Sequence, residues 1–514
     1  MSLLSKASLV LLILLALVMP RLLAAPGLGL AETLVVSDNP PVGSFPLVSS
    51  GVAAPLWYDA NDHVGVIRAV GDLRADVQRV TTLLPALSTA SVPPSVRPVI
   101  IGTVGKSAVI DSLIASGKLD AADLTGKWES FVITTVTNPL PGVDQALVIA
   151  GSDKRGTIYG IYELSMQLGV SPWYWWADVP SKQRTSAYLV PGRFASGEPV
   201  VKYRGIFLND EAPCLTGWAS AKFGGMNQQV YTKIFELLLR MRGNYLWPAM
   251  WGNAFNEDDP MNPALADQYG IVMGTSHHEP MLRAQQEWSR HKASYGNAAW
   301  DYQTNEAGLK AFWTDGIARN KDYESIVTIG MRGDGDAPMI SGGTMAANID
   351  LLTRVINDQR TILTTQTGRP AEQTPQLWAL YKEVLDYYNS GMRVPDDVTL
   401  LWPDDNWGNI RRLPTPEERN RPGGAGVYYH FDYVGGPRNY KWLNTNQIER
   451  VWEQMKLAAD YGADRLWIVN VGDLKPMELP TEFFLDYAWN PDAIPLETSG
   501  LVPVPVAEGA PTSA

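Results

Sequence analysis

With 514 residues, 45% of them hydrophobic and 19% charged, the chain is long enough for two or three domains and too apolar to be disordered. A formal net charge of −12 argues against a nucleic-acid partner and offers nothing to an anionic membrane, so an acidic ligand has to be met by local basic residues against the overall field. The single cysteine, Cys214, excludes an intrachain disulfide.

The chain opens with an apolar run from Ser8 to Met19 behind Lys6, too short for a membrane span and patterned like a secretory signal. Gly29 and Ala31 supply the small residues of a cleavage site, so residues 1–31 are expected to leave a secreted, extracellular protein; a retained N-terminal anchor is the alternative. Residues 32–198 read as an α/β unit. Leu34–Ser37, Pro98–Gly102, Phe131–Val136 and Ala146–Gly151 are predicted strands, and Asp72–Leu84, Lys106–Ser116 and Lys154–Leu168 predicted helices. Gly102 to Ser107 imitates a phosphate-binding loop, but the motif needs a glycine five residues before Gly105 and the chain has Ile100. Pro172–Trp176 is either a packing cluster or a cleft wall.

From Tyr203 the pattern repeats. Predicted strands run through Arg204–Glu211, Gly243–Pro248, Gly270–Thr275, the Ile326–Ile329 stretch, Gln376–Glu383, Val398–Trp402, Gly426–Asp432 and Arg465–Asn470; the fifth also reads as a helix. Helical faces intervene at Val230–Met241, Ile349–Ile356 and Ile448–Ala459, the second ending near Gly368 and the third near Gly462. Eight strands, most followed by a helix, predict a (β/α)8 barrel over residues 199–490. Residues 491–514 are Pro-rich and are expected to be disordered.

In a barrel all strand ends meet at one face, where such folds place active sites. Polar residues collect there: Asn209, Asp210 and Glu211; Trp247; His277, His278 and Glu279; Arg332 and Asp336; Glu383; Asp404, Asp405 and Asn406; His430 and Asp432; Asn470. Three of the five histidines are among them, but consecutive strand residues point to opposite faces, so His277 and His278 do not predict a chelate and no metal is expected. No Gly-x-Ser-x-Gly elbow is present. Carboxylates among tryptophans and amides are the equipment for glycoside cleavage, in which one acid protonates the leaving oxygen and one carboxylate activates water or attacks carbon.

Lys202–Glu211, Arg242–Trp251, Gly274–Pro280, Gly330–Asp336 and Leu401–Gly408, in this order, resemble glycoside hydrolase family 115, the xylan α-1,2-glucuronidases. The resemblance covers roughly residues 35–490. It implies an N-terminal α/β domain, a catalytic barrel and an inverting mechanism with no cofactor. It also implies release of glucuronic or 4-O-methylglucuronic acid from xylose in glucuronoxylan or its oligosaccharides. It places the family's site residues at Asp210, Arg332, Asp336, Glu383 and His430. Asp336 and Glu383 are then the expected catalytic pair, with Glu383 as the acid because it follows apolar Leu380 and Tyr381. An inverting pair stands about 6.5–9.5 Å apart. Arg332 is expected to grip the uronate in a two-pronged bond and to lower the pKa of Asp336. His277 and His430 are expected to donate to the sugar, and Trp247, Asn253, Asp405, Asn406 and Trp407 complete the expected substrate-binding set, with core packing open for each tryptophan.

The family continues past its barrel into further domains, so the chain is expected to be shorter than its relatives, with a homodimer left open. Two other readings stand beside the first: a barrel glycosidase of another acidic or amino sugar, and an inactive, carbohydrate-binding barrel.

Overall fold

The computed structural model describes residues 34–36, 39–209, 211–339, 343–435, 441 and 443–494. The expected signal segment, Asp210 and the tail from 495 onward lie outside the described residues.

The first unit is built on a mixed six-stranded sheet in the order Arg193–Ala195, Phe131–Thr137, Gln145–Gly151, Val99–Thr103, Leu56–Tyr58, Leu87–Ser88. Its strands alternate as a sheet covered on both faces must. Ile101, Ile133 and Ile149 pack under the helices Val64–Thr81 and Lys154–Leu168. Ile100, Val132 and Val148 face Ile110 and Leu113 of the helix Ala108–Ala115. A small second sheet contains Val35–Val36, Phe45–Ser49, Val52–Ala53 and Ala187–Leu189.

One predicted helix differs in extent. It begins at Val64, not near Asp72, and ends at Thr81 with Thr82 in the left-handed region at φ 64°. Its first turns carry Gly65, Val66 and Ile67 with no side-chain cap, so neither propensity nor capping marks the start.

The second unit is a barrel of eight parallel strands: β1 Tyr203–Phe207, β2 Tyr245–Trp247, β3 Val272–Met273, β4 Val327–Thr328, β5 Gln376–Ala379, β6 Thr399–Pro403, β7 Ala425–His430 and β8 Leu466–Asn470. The pairing order is β3–β2–β1–β8–β7–β6–β5–β4. A parallel bridge between Met273 and Ser325 closes the ring between β3 and β4. The lumen is filled by Phe207, Tyr245, Trp247, Leu377, Leu401, Tyr428 and Ile468, while their strand neighbours Ile206 and Leu246 face the outer helices. Gly205 is dictated by this closeness: a Cβ there would stand 1.9 Å from the Tyr245 carbonyl oxygen. The predicted fifth strand is shorter than expected, because the chain turns after Ala379 and Glu383 opens the helix Glu383–Asn389. At the far end, Pro491–Ala493 form a 3-10 turn with Pro491 and Ala493 buried, so the expected disorder does not begin at 491.

The first unit seats against the start of the barrel strands. Arg204 is the second residue of β1, and its guanidinium donates to Glu129 at 2.6 Å. Arg155 reaches Glu129, the Gly270 carbonyl before β3 and Glu324 before β4. Tyr159 donates to the Gly243 carbonyl before β2. These contacts lie at the amino ends of the strands and leave the carboxyl ends clear.

Candidate active site

The carboxyl ends of β4 and β5 bring Arg332, Asp336 and Glu383 together. Arg332 is buried, with 1% of its side chain exposed. Its Nε and Nη2 donate to the two Glu383 oxygens at 3.0 and 2.8 Å, a fork-to-fork pair. Its Nη1 donates to the Asp336 carbonyl at 2.9 Å and also contacts the Asp336 carboxylate. Asp336 Oδ1 bonds His277 Nε2 at 2.8 Å, and its Oδ2 accepts from Lys382 Nζ at 2.9 Å. One guanidinium thus gathers two carboxylates that are 47 positions apart in the sequence.

The backbone here is strained. Asp336, Lys382 and Asn406, just beyond β4, β5 and β6, hold φ values of 63°, 52° and 67°. Non-glycine residues in such regions cost about 1–3 kcal/mol each and persist where the surroundings fix them. Gly335, at φ 65°, supplies a conformation that glycine adopts without strain, and at Gly333 a Cβ would stand 2.5 Å from the Pro338 carbonyl oxygen.

Electrostatics set the protonation states. Burial, then Arg332 and Lys382, hold His277 well below the usual histidine range, so it is neutral. Its Nε2–H donates to Asp336, and Ser276 Oγ faces its Nδ1 at 3.4 Å. His278 is likewise pushed down by burial, by His277 and by Arg332. Burial, then Arg332, also lowers the Lys382 ammonium.

Several expectations change. The Arg332 fork is taken by Glu383, so it does not stand open for a uronate. Glu383 sits on a guanidinium instead of in the apolar surroundings that suggested an acid role, and both its oxygens accept from Arg332. Trp247 is wholly buried in the lumen, its Nε1 bonded to Tyr245 Oη at 2.7 Å and its ring against Phe207 and Tyr428, so it has no free face for a sugar. Asn253 gives its amide to Glu211 at 2.9 Å and does not join the Asp336 cluster. Asp405 binds its own loop at the Trp407 amide and the Asn409 side chain. Asn406 accepts from Tyr381 Oη at 2.9 Å. Trp407 and Trp251 are each 41% exposed, and Trp251 lies over His278.

His277 and His278 lie past the end of β3 in a turn, where strand alternation no longer applies, and their ligand atoms fall within 4.8 Å of one another and of Asp336. Arg332 and Lys382 already place two positive charges on that carboxylate, which works against a cation there.

Asp404 and Lys382 were not singled out as site residues. Buried Asp404 accepts from His430 Nδ1 at 2.6 Å, which turns the other ring nitrogen away from Asp404. The β6–β7 register, pairing Pro403 with Tyr428, is the signal that places Asp404 near His430. Lys382 stood in plain view between Tyr381 and Glu383.

The Pro172–Trp176 segment does both things expected of it. Trp175 and Trp176 pack on Trp218 at 6.0 and 5.4 Å, and they line a cavity of about 1040 Å³ with Leu215 and Lys222. None of the Asp336 cluster lines that cavity.

Glu279, after His278, is buried, and burial raises its carboxyl to about 7. Its neutral form is therefore favoured by folding. The contribution to stability is complete below the unfolded carboxyl range near 4.5 and is lost as pH rises through about 7. Glu279→Gln is expected to gain on the wild type by about 3 kcal/mol between pH 4 and pH 8, read as the change in their difference in unfolding free energy. A difference that stays flat over this range contradicts the assignment.

The profile of glycosyl hydrolase family 115 matches residues 196–501. A solved family 115 4-O-methyl-α-glucuronidase, with specificity for decorated arabinogalactans, is 38% identical and superposes with a TM-score of 0.79. The match covers 88% of this chain and 58% of that one, so the chain spans less than two thirds of that structure's length. A mutant β-hexosaminidase of Streptomyces plicatus, in complex with GlcNAc, shares the fold at 10% identity and a TM-score of 0.51, over 92% of this chain and 91% of its own. No curated protein matches the chain.

Proposed function

The chain belongs to glycosyl hydrolase family 115, and from that premise we propose that it removes glucuronic or 4-O-methylglucuronic acid branches from a plant polysaccharide. The carrying observation is the shared guanidinium: Arg332 holds Asp336 and Glu383 side by side at the carboxyl ends of β4 and β5. Two carboxyl groups at the mouth of a barrel are what acid/base hydrolysis of a glycosidic bond requires. In this reading the pair divides the work. One protonates the leaving oxygen, and the other draws a proton from water as it attacks the anomeric carbon from the opposite face. The reaction inverts the α linkage and releases the β sugar. The protein acts outside the cell, on α-1,2-linked branches of xylan xylose.

A second substrate has its own support, because the 38% identical structure is specific for decorated arabinogalactans. Purified protein incubated with glucuronoxylan, and separately with glucuronate-decorated arabinogalactan, separates the two. Release of 4-O-methylglucuronic acid from the xylan, with the β anomer first in the NMR spectrum, is the expected result. Release from arabinogalactan alone moves the substrate but keeps the reaction, and no release from either overturns the proposal.

A further inference from the structure

We propose that Lys382 is the residue that receives the carboxylate of the glucuronate branch. The inference rests on the function proposed above and deepens it.

A uronate brings a full negative charge into a site that already holds Asp336 and Glu383. Some cation there has to be available. Arg332, the residue the sequence first suggests, is not: its side chain is 1% exposed, and its fork and Nη1 are bonded to Glu383 and Asp336. His277 and His278 are buried and neutral. Lys441 is tied to Asp432 at 2.7 Å and to the Phe431 carbonyl at 2.9 Å.

Lys382 differs from all of these. Its side chain is 38% exposed, and its Nζ lies 2.9 Å from Asp336 Oδ2. An ammonium has three N–H groups, and this contact uses one. Its Nζ also stands over the Tyr381 ring, 5.1 Å from the ring centre. The left-handed backbone at φ 52° fixes the residue beside Glu383.

Lys382 adds a positive charge beside Asp336, which favours an incoming uronate. Lys382 then has two partners in turn. In the free protein it holds Asp336; with substrate in place its remaining N–H groups meet the uronate, and its pull on Asp336 is shared.

The test is discrimination between methyl α-glucuronide and methyl α-glucoside, which differ at the carboxylate, measured as competitive inhibitors of turnover on the polysaccharide. In Lys382→Met the preference for the glucuronide is expected to fall by about ten- to a hundredfold, the worth of one charge-assisted contact. KM for the polysaccharide is expected to rise more than kcat falls. Lys382→Arg is expected to keep most of the preference. A preference within about twofold of the wild type in Lys382→Met overturns the assignment and leaves Lys382 as a support for Asp336 alone. A wild type that turns over the polysaccharide but prefers neither glycoside also overturns it. Absence of any glucuronate release by the wild type removes the functional reading itself, and this inference with it.

Discussion

Asparagine in place of Asp336 is expected to lower kcat on a glucuronate-decorated polysaccharide by about 10²- to 10⁴-fold, and Glu383→Gln to do the same. Both substitutions keep the shape of the side chain and an oxygen that accepts from Arg332, so the site is expected to stay assembled while its proton chemistry stops. In the proposed single displacement the two carboxyl groups act together, so the double variant is expected to cost little more than either single one. The reading depends on which variant loses turnover and which loses structure. A melting temperature within a few degrees of the wild type, together with lost turnover, assigns both residues to the chemistry. A variant that retains more than a tenth of wild-type kcat removes that residue from the pair.

The second large effect is one of folding. Glu129 is completely buried between Arg155 and Arg204, and its oxygens also take the Asn244 amide. It ties the first unit to the amino ends of the barrel strands. Glu129→Ala removes the only acid facing Arg204 among the described ion pairs and leaves two buried cations without it. The expected cost is about 3–5 kcal/mol of unfolding free energy, measured by chemical denaturation. Arg155 retains Glu324, so Arg204 carries most of the penalty. A loss below about 1 kcal/mol would mean that water or backbone reorganises to meet the charge, and that the junction is held by apolar packing.

The barrel was legible in the sequence because a buried parallel strand leaves a strong mark. Val398–Trp402 and Arg465–Asn470 are near-continuous apolar runs, and each lies within a residue of an observed strand. The helix Lys154–Leu168 was legible to the residue, since Asp153 caps it and Gly169 ends it in the left-handed region. The helix Glu306–Asn320 gave no such mark; it is buried on a broad face by Leu309, Phe312, Trp313 and Ile317, with no side-chain cap at Asn305. Within the site, spacing and residue type placed Arg332, Asp336 and Glu383 at strand ends but not their partners. Arg332 looked like a ligand for substrate because nothing in a linear sequence shows that Glu383, 51 residues on, folds back onto its fork. For Trp247 the sequence leaves ring stacking and core packing open, and Phe207 and Tyr428 against its ring decide for packing. Asp404 is visible in the sequence as a strand-end acid, but its pairing with His430 is not: the choice between it and Asp405 is made by the strand register.

The most direct measurement is a crystal structure of the Glu383→Gln variant with a 4-O-methylglucuronate-bearing oligosaccharide. The account predicts the uronic acid in the mouth above β4 and β5, its anomeric carbon between residues 336 and 383, with those two side chains about 6.5–9.5 Å apart and a water on the face opposite the leaving oxygen. A sugar bound elsewhere, or one with both of those side chains on the same face of its anomeric carbon, would contradict it.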